Sequence, residues 1–116
     1  MIVHLEDLLA KLPGAPRGAW KDGVPFTEAF RHGTMTTELF ALRGEDYQGP
    51  HDQDELYFVH EGTALFVHEG RVESVKRGSA IFVPAGHRHH FERASADFAA
   101  WVVFWGPKGG EPERAP

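Results

Sequence analysis

Two short clusters hold most of the residues able to do chemistry in this 116-residue chain. His51, Gln53, Asp54 and Glu55 stand just ahead of the apolar run Leu56-Tyr57-Phe58-Val59, and His87-Arg88-His89-His90 follows Pro84-Ala85-Gly86. Imidazoles and a carboxylate at strand ends are the donors of a nitrogen/oxygen metal site, with rigid strands setting the ligand directions. On composition alone, each cluster also reads as a solvated, His-rich turn. There is no cysteine, which excludes disulfides, thiolate metal sites and cysteine nucleophiles. A metal here would be held by imidazole, carboxylate, amide or water, a set that suits iron, manganese, nickel, cobalt or zinc. Ser74, Ser79 and Ser95 lack the Gly-x-Ser-x-Gly context of a nucleophile elbow. No Gly-rich loop leads into Lys-Ser or Lys-Thr, so a phosphate-cradling loop is absent as well.

Spacing separates the two readings. The first cluster sits in Gly49-x-His51-x-x-x-Glu55-x-x-x-x-x-x-Gly62, and the second in Gly78-x-x-x-x-x-Pro84-x-Gly86-x-x-His89. The first run resembles the first motif of the cupin family from its second His onward. The second run is similar to the second cupin motif at every position up to its His. The resemblance covers roughly Thr34 to Pro107. It implies an all-β fold, the double-stranded β-helix or jelly-roll-like cupin barrel, with one divalent metal held by His51, Glu55 and His89. Two departures matter. The first His of the family's motif falls on Gly49, which cannot ligate, and the final Asn falls on Arg93. Gln53 is a candidate replacement fourth ligand through its amide oxygen, or a hydrogen-bonding neighbour of the ligands.

The elements that must position these residues are short. Leucines at helical spacing from Leu5 to Leu12, stopped by Pro13-Gly14, predict a short N-terminal helix. Gly14 to Pro25 holds two Pro and three Gly and reads as a loop or irregular arm. Strands are expected at Thr34–Leu42, Glu55–His60, Thr63–His68, Arg71–Lys76, Ala80–Val83, His87–Phe91 and Asp97–Trp105. Glu61-Gly62 and Glu69-Gly70 are the expected hairpin turns. The domain plan is therefore an N-terminal helix and arm over 1–33, a barrel over 34–107, and a flexible tail over 108–116. Phe58-Val59-His60-Glu61-Gly62 recurs as Phe66-Val67-His68-Glu69-Gly70, which we read as two successive hairpin strands of equal length.

The remaining polar residues have plainer readings. His4 and His32 are expected in solvent, and alternation from Glu55 turns His60 away from the metal, with His68 placed similarly on its partner strand. His87 and His90 read as exposed turn residues or substrate contacts. Arg93 reads as a surface ion pair or a carboxylate anchor. Glu6-Asp7 and Glu45-Asp46 read as a solvated helix start and a turn.

Charge and composition narrow the partners. A formal net charge of -5 and scattered basic residues argue against nucleic acid. The most apolar run, Phe98 to Trp105, is far shorter than the roughly 20 residues of a membrane-spanning helix. Glu6, Asp7 and Lys11 break up what a signal peptide would keep apolar, so a cytoplasmic location is the expectation. The absence of Asn and excess of Arg over Lys fit either a thermophile or a GC-rich genome. Phe98 to Trp105 is apolar on both alternating faces, as are Leu56–Val59 and Ala64–Val67, and a homodimer built on these strands is expected.

Two His and one carboxylate leave coordination positions open, the arrangement of non-haem iron oxygenases. The leading expectation is a metal-dependent, dioxygenase-like enzyme on a small organic molecule, in a mouth lined by aromatics such as Phe40, Tyr57 and Trp101. A non-catalytic metal or small-ligand binding module and a sugar isomerase-like cupin are the alternatives, because one barrel serves many chemistries.

Overall fold

A computed structural model describes residues 1–114. One short helix, α1 (Leu5–Leu9), precedes eight strands: β1 (Phe26–His32), β2 (Met35–Phe40), β3 (Asp54–Glu61), β4 (Thr63–His68), β5 (Arg71–Lys76), β6 (Ala80–Val83), β7 (His89–Glu92) and β8 (Ala99–Trp105). They form a five-stranded sheet of order β1-β2-β8-β3-β6 and a three-stranded sheet of order β5-β4-β7, with antiparallel pairing throughout. The expected strand bounds at Thr63–His68, Arg71–Lys76 and Ala80–Val83 match those observed.

Side-chain alternation builds the core. Tyr57 and Val59 of β3, Ala64 and Phe66 of β4, Ile81 and Val83 of β6, Phe91 of β7, and Ala100 and Val102 of β8 all turn inward and are buried. Their even spacing follows from the two-residue period of a strand, which sends successive side chains to opposite faces. Phe40, Phe91 and Phe98 pack ring on ring at 5.2–6.3 Å between centroids, filling the space between the sheets.

Four expectations are corrected. β1 falls within the segment assigned to the N-terminal arm and pairs with β2 from Phe26↔Phe40 to His32↔Met35. A boundary after residue 33 therefore cuts a hairpin. Its mixture of Phe, Thr, Ala and charged residues hid a strand that only pairing stabilises. The helix ends at Leu9 rather than Leu12, too short to hold without packing, and lies against β2, where Leu8 and Leu39 are buried. The tail is docked: Gly109 N–H donates to the Asp52 carbonyl at 2.7 Å, and Glu111 N–H to Asp54 Oδ2 at 2.9 Å. Residues 115 and 116 of that expected tail lie outside the described residues.

The fourth correction concerns Glu61-Gly62. It joins β3 and β4, which lie in different sheets, so it is a sheet-to-sheet crossing; Glu69-Gly70 is the true β4–β5 hairpin. The five-residue repeat has no structural counterpart. In the first copy Phe58 is exposed and Val59 buried, whereas in the second Phe66 is buried and Val67 half-buried. The two copies present opposite faces to the core.

Candidate metal centre

His51 lies in the segment leading into β3, Glu55 is the second residue of β3, and His89 opens β7. Because β3 and β7 belong to different sheets, only the closure of the two layers brings these side chains together. Each offers a ligand-type atom, and these atoms lie within 4.8 Å of one another. Glu55 and His89 are buried, at 1% and 4% exposure, while His51 stands half-buried at the entrance.

Backbone clamps hold the three in place. Pro84 ends β6 and starts the turn that returns the chain towards His89, with His87 N–H donating to the Pro84 carbonyl at 3.3 Å. The same turn is tied to the first cluster by Gly86 N–H donating to the His51 carbonyl at 2.6 Å. Asp54, buried beside Glu55, accepts from Ala85 N–H at 3.0 Å through Oδ1 and from the tail through Oδ2. This carboxylate thus fixes the spacing between the two clusters.

The electrostatics identify what the pocket wants. His89 Nδ1 donates to the His87 carbonyl at 2.9 Å, so its proton sits there and Nε2 presents a lone pair. That Nε2 faces Glu55 Oε1 at 2.9 Å, yet neither atom has an aligned hydrogen-bond partner. Two buried lone pairs pointed at each other repel unless a cation or a proton stands between them. The Nε2 of His51 lies 3.9 Å from the same oxygen. A divalent metal fits this donor set of two imidazoles and one carboxylate.

Protonation follows the same logic. Burial pushes His89 down, but the contact with Glu55, the bond to the His87 carbonyl and the charges of Glu55 and Asp46 outweigh it and hold its pKa above the ordinary 6.5. His51 is held below 6.5, chiefly by burial. A metal competes with the proton on His89, so divalent-metal affinity is expected to begin falling above pH 6.5 and to keep falling as pH drops. Isothermal titration with Zn(II) between pH 8 and 5 checks this, and a flat profile would contradict imidazole ligation.

Other candidates part company here. Gln53 lines the same cavity, but its amide nitrogen donates to the carbonyls of Thr34 and Gly106 at 3.0 and 2.9 Å, anchoring loops. The cavity, about 310 Å³, is lined by Arg17, Phe26, Glu38, Phe40, Tyr57 and Phe104 along with His51 and Glu55. Phe40 and Tyr57 line this cavity. Trp101 does not: its neighbours Ala100 and Val102 face inward, and parity places the indole on the outer face. A larger hollow of about 410 Å³ runs past His68, Arg71 and Glu73 and contains none of the three candidate ligands.

His60 is exposed, as alternation requires, but His68 shares the parity of inward Phe66 and pairs its Nε2 with His87 Nδ1 at 2.8 Å. This corrects the placing of His68 away from the interior and of His87 as a free turn residue. Arg93 is exposed at φ 53 and makes no ion pair among the described residues. Asp46, expected in a solvated turn, accepts from Phe91 N–H at 2.9 Å and from the Gln48 amide at 2.5 Å. Gln48 Oε1 in turn accepts from the Tyr57 hydroxyl at 2.9 Å and lies 3.3 Å from His51 Nε2. Burial first, then Glu55, raises the Tyr57 hydroxyl well above 10, so it stays a donor. Sequence reading missed Gln48 and Glu38, since neither belongs to a His-rich cluster.

Comparison with known proteins agrees with this geometry. Residues 38–105 match the family model described as Cupin domain. An uncharacterized protein of Streptomyces coelicolor is 39% identical over 92 residues, covering 78% of this chain and 87% of that protein. Two solved structures share the fold. A Cupin 2 conserved barrel domain protein from Salinispora arenicola has a TM-score of 0.60 and 17% identity over 70% of this chain and 74% of that one. The DMSP lyase DddQ from Ruegeria pomeroyi has a TM-score of 0.64 and 23% identity over 80% of this chain and 52% of that one. With the family model spanning more than half of its length, from β2 to the end of β8, the chain belongs to the cupin family.

Proposed function

We propose that this cupin is a metal-dependent enzyme acting on a small organic molecule, with dioxygenase-like chemistry as its first candidate reaction. The observation that carries the reading is the pair of buried, unpartnered atoms, Glu55 Oε1 and His89 Nε2, which meet beside His51, with His51 and Glu55 lining an open cavity. His51, Glu55 and His89 would hold the metal, and iron, manganese, nickel, cobalt and zinc all suit such donors. Bound there, a divalent ion supplies a Lewis-acid or redox centre. The chain itself shapes the pocket with Phe40, Phe26 and Phe104, and Tyr57 donates to Gln48, which stands beside His51. A cavity of this volume lies at the small end of ligand sites, which supports a substrate of few atoms.

The non-catalytic binding reading rests on Gly49. A Cβ there would meet nothing within 4 Å, so the position is roomy but supplies no ligand. Metal analysis of the purified protein, followed by oxygen uptake of iron-loaded protein with chelating small acids and diols, tests the proposal. One metal per chain with substrate-dependent uptake is the expected result. A tightly kept metal with no turnover of any kind supports the binding module, and turnover without oxygen supports an isomerase-like reaction.

The homodimer expectation becomes a proposal about the outer face of the five-stranded sheet. Phe58 and Phe82 are about half exposed there, and Trp105 packs 6.2 Å from Phe82. A patch of this kind is characteristic of an interface. Light scattering at micromolar concentration is expected to give twice the 12.9 kDa chain mass, and the mass of one chain would refute it.

A further inference from the structure

The cavity holds one titratable group with no assigned task. Glu38 lies in β2 on the inward face shared with Phe40, half-buried in a cavity whose mixed lining includes the apolar Phe26, Phe40, Val102 and Phe104. Among the described residues its carboxylate has no hydrogen-bond or ion-pair partner. An unpaired carboxylate on the inward face of a central strand costs stability that Thr, Val or Gln would not. Its register partners are Glu28 on β1 and Val102 on β8, and Glu28 is itself committed to Arg31.

We infer that Glu38 is the acid–base residue of this cavity, taking a proton from a small carboxylic acid whose acidic C–H lies next to a carbonyl. The inference rests on the metal-dependent reading above, since the carbonyl oxygen would face the His51, Glu55 and His89 end. Glu38, His51 and Glu55 line the same 310 Å³ space. The step balances without an oxidant. The C–H bond breaks, its proton joins a Glu38 carboxylate oxygen, and its electron pair moves onto the carbonyl oxygen to give an enolate. Return of a proton to the same carbon reverses the step and exchanges that hydrogen with solvent.

The charged surroundings suit the task. Burial is the main influence on Glu38, followed by the negative charges of Glu55 and Glu28, and together they raise its pKa to about 7 against the pull of Arg17. A base whose pKa lies near the working pH exists in both forms, which is where proton transfer is most efficient. His51 and Asp52, from the loop before β3, and Tyr57 complete the titratable lining of the cavity. Arg17 stands at the mouth with its guanidinium exposed, 5.5 Å from the centre of the Phe26 ring and without an ion-pair partner among the described residues. It offers a substrate carboxylate a bidentate partner.

Two measurements on the full chain test this. In metal-free protein labelled with ¹³C at Glu carboxyls, the signal absent from Glu38→Gln is expected to titrate near pH 7, and a midpoint at the ordinary value near 4.5 overturns the inference. In metal-loaded protein under argon in D₂O, the methyl protons of pyruvate, used as a carbon-acid probe, are expected to exchange with solvent. Glu38→Gln should slow that exchange by about 100-fold or more, with Glu38→Asp intermediate. Zn(II) affinity should be the same in all three, and thermal melts verify folding. Unchanged exchange in Glu38→Gln, or none from wild type that binds metal, overturns the assignment. Wild type that binds no metal instead sinks the metal-dependent reading, while the carboxyl titration still reports on Glu38.

Discussion

Glu55→Gln is expected to lower divalent-metal affinity by more than about 100-fold, because partners that merely orient ligands are already worth 10- to 100-fold. Glu55 supplies the one negative charge among the three candidate ligands, and its Oε1 lies 2.9 Å from His89 Nε2 and 3.9 Å from His51 Nε2. Gln keeps the shape but removes that charge, and the two imidazoles then bring no anion to balance the ion. The fold should survive. In metal-free protein the Gln amide can donate to His89 Nε2, giving a partner to an atom that otherwise lacks one. The melting temperature of metal-free Glu55→Gln is therefore expected within about 5 °C of wild type. His90→Ala is the control: His90 sits beside His89 but on the opposite side of β7, half-buried and 3.7 Å from Glu92. It should bind metal as wild type does. Competition with a chromogenic chelator gives both affinities. Wild-type affinity in Glu55→Gln would remove the carboxylate from the site, whatever the fate of the barrel.

Gly62→Ala is expected to destabilise the fold by about 3–5 kcal/mol, from backbone strain and overpacking together. Gly62 carries the chain from β3 in one sheet to β4 in the other at φ 84. A Cβ there would stand 2.5 Å from Ser95 Oγ, 2.7 Å from Phe98 Cα and 2.8 Å from Asp97 Oδ1. Backbone cannot swing aside as a side chain can. Ser95 is further committed, accepting from Thr63 N–H at 2.9 Å and donating to Asp97 at 2.7 Å. Gly70 offers the comparison. Its φ is 80, but nothing lies within 4 Å of its Cβ position. Gly70→Ala should cost only the left-handed conformation, about 1–2 kcal/mol. Urea unfolding of both variants reads the difference, and equal losses would mean that the crossing relaxes freely.

How far the sequence alone carries can be traced residue by residue. His51, Glu55 and His89 were legible because their spacing to Gly62, Pro84 and Gly86 is local information, written along one stretch of chain each. Strands β4, β5 and β6 were legible for the same reason: apolar alternation ends at turn residues that punctuate it. The turn from Pro84 to His89 likewise follows from what proline and glycine do to a backbone.

What lay beyond reach depends on pairing across the barrel. Whether Trp101 or Val102 faces the cavity hinges on one residue of register, and β8 is apolar on both faces, so its pattern carries no preference. The register Tyr57↔Val102 with Phe58↔Trp101 decides it. Glu61-Gly62 looks like a hairpin turn locally and is a crossing only because β3 pairs with β6 and β8. Glu38 and Arg17 gain significance from neighbours distant in sequence, His51, Glu55 and Phe104, which no local window contains. The types and local placing of these three candidate donors were thus determined by the chain itself. The cavity beside them, and the unpaired carboxylate in its wall, were decided by the closure of two sheets, because burial and proximity belong to the folded surface and not to the order of residues.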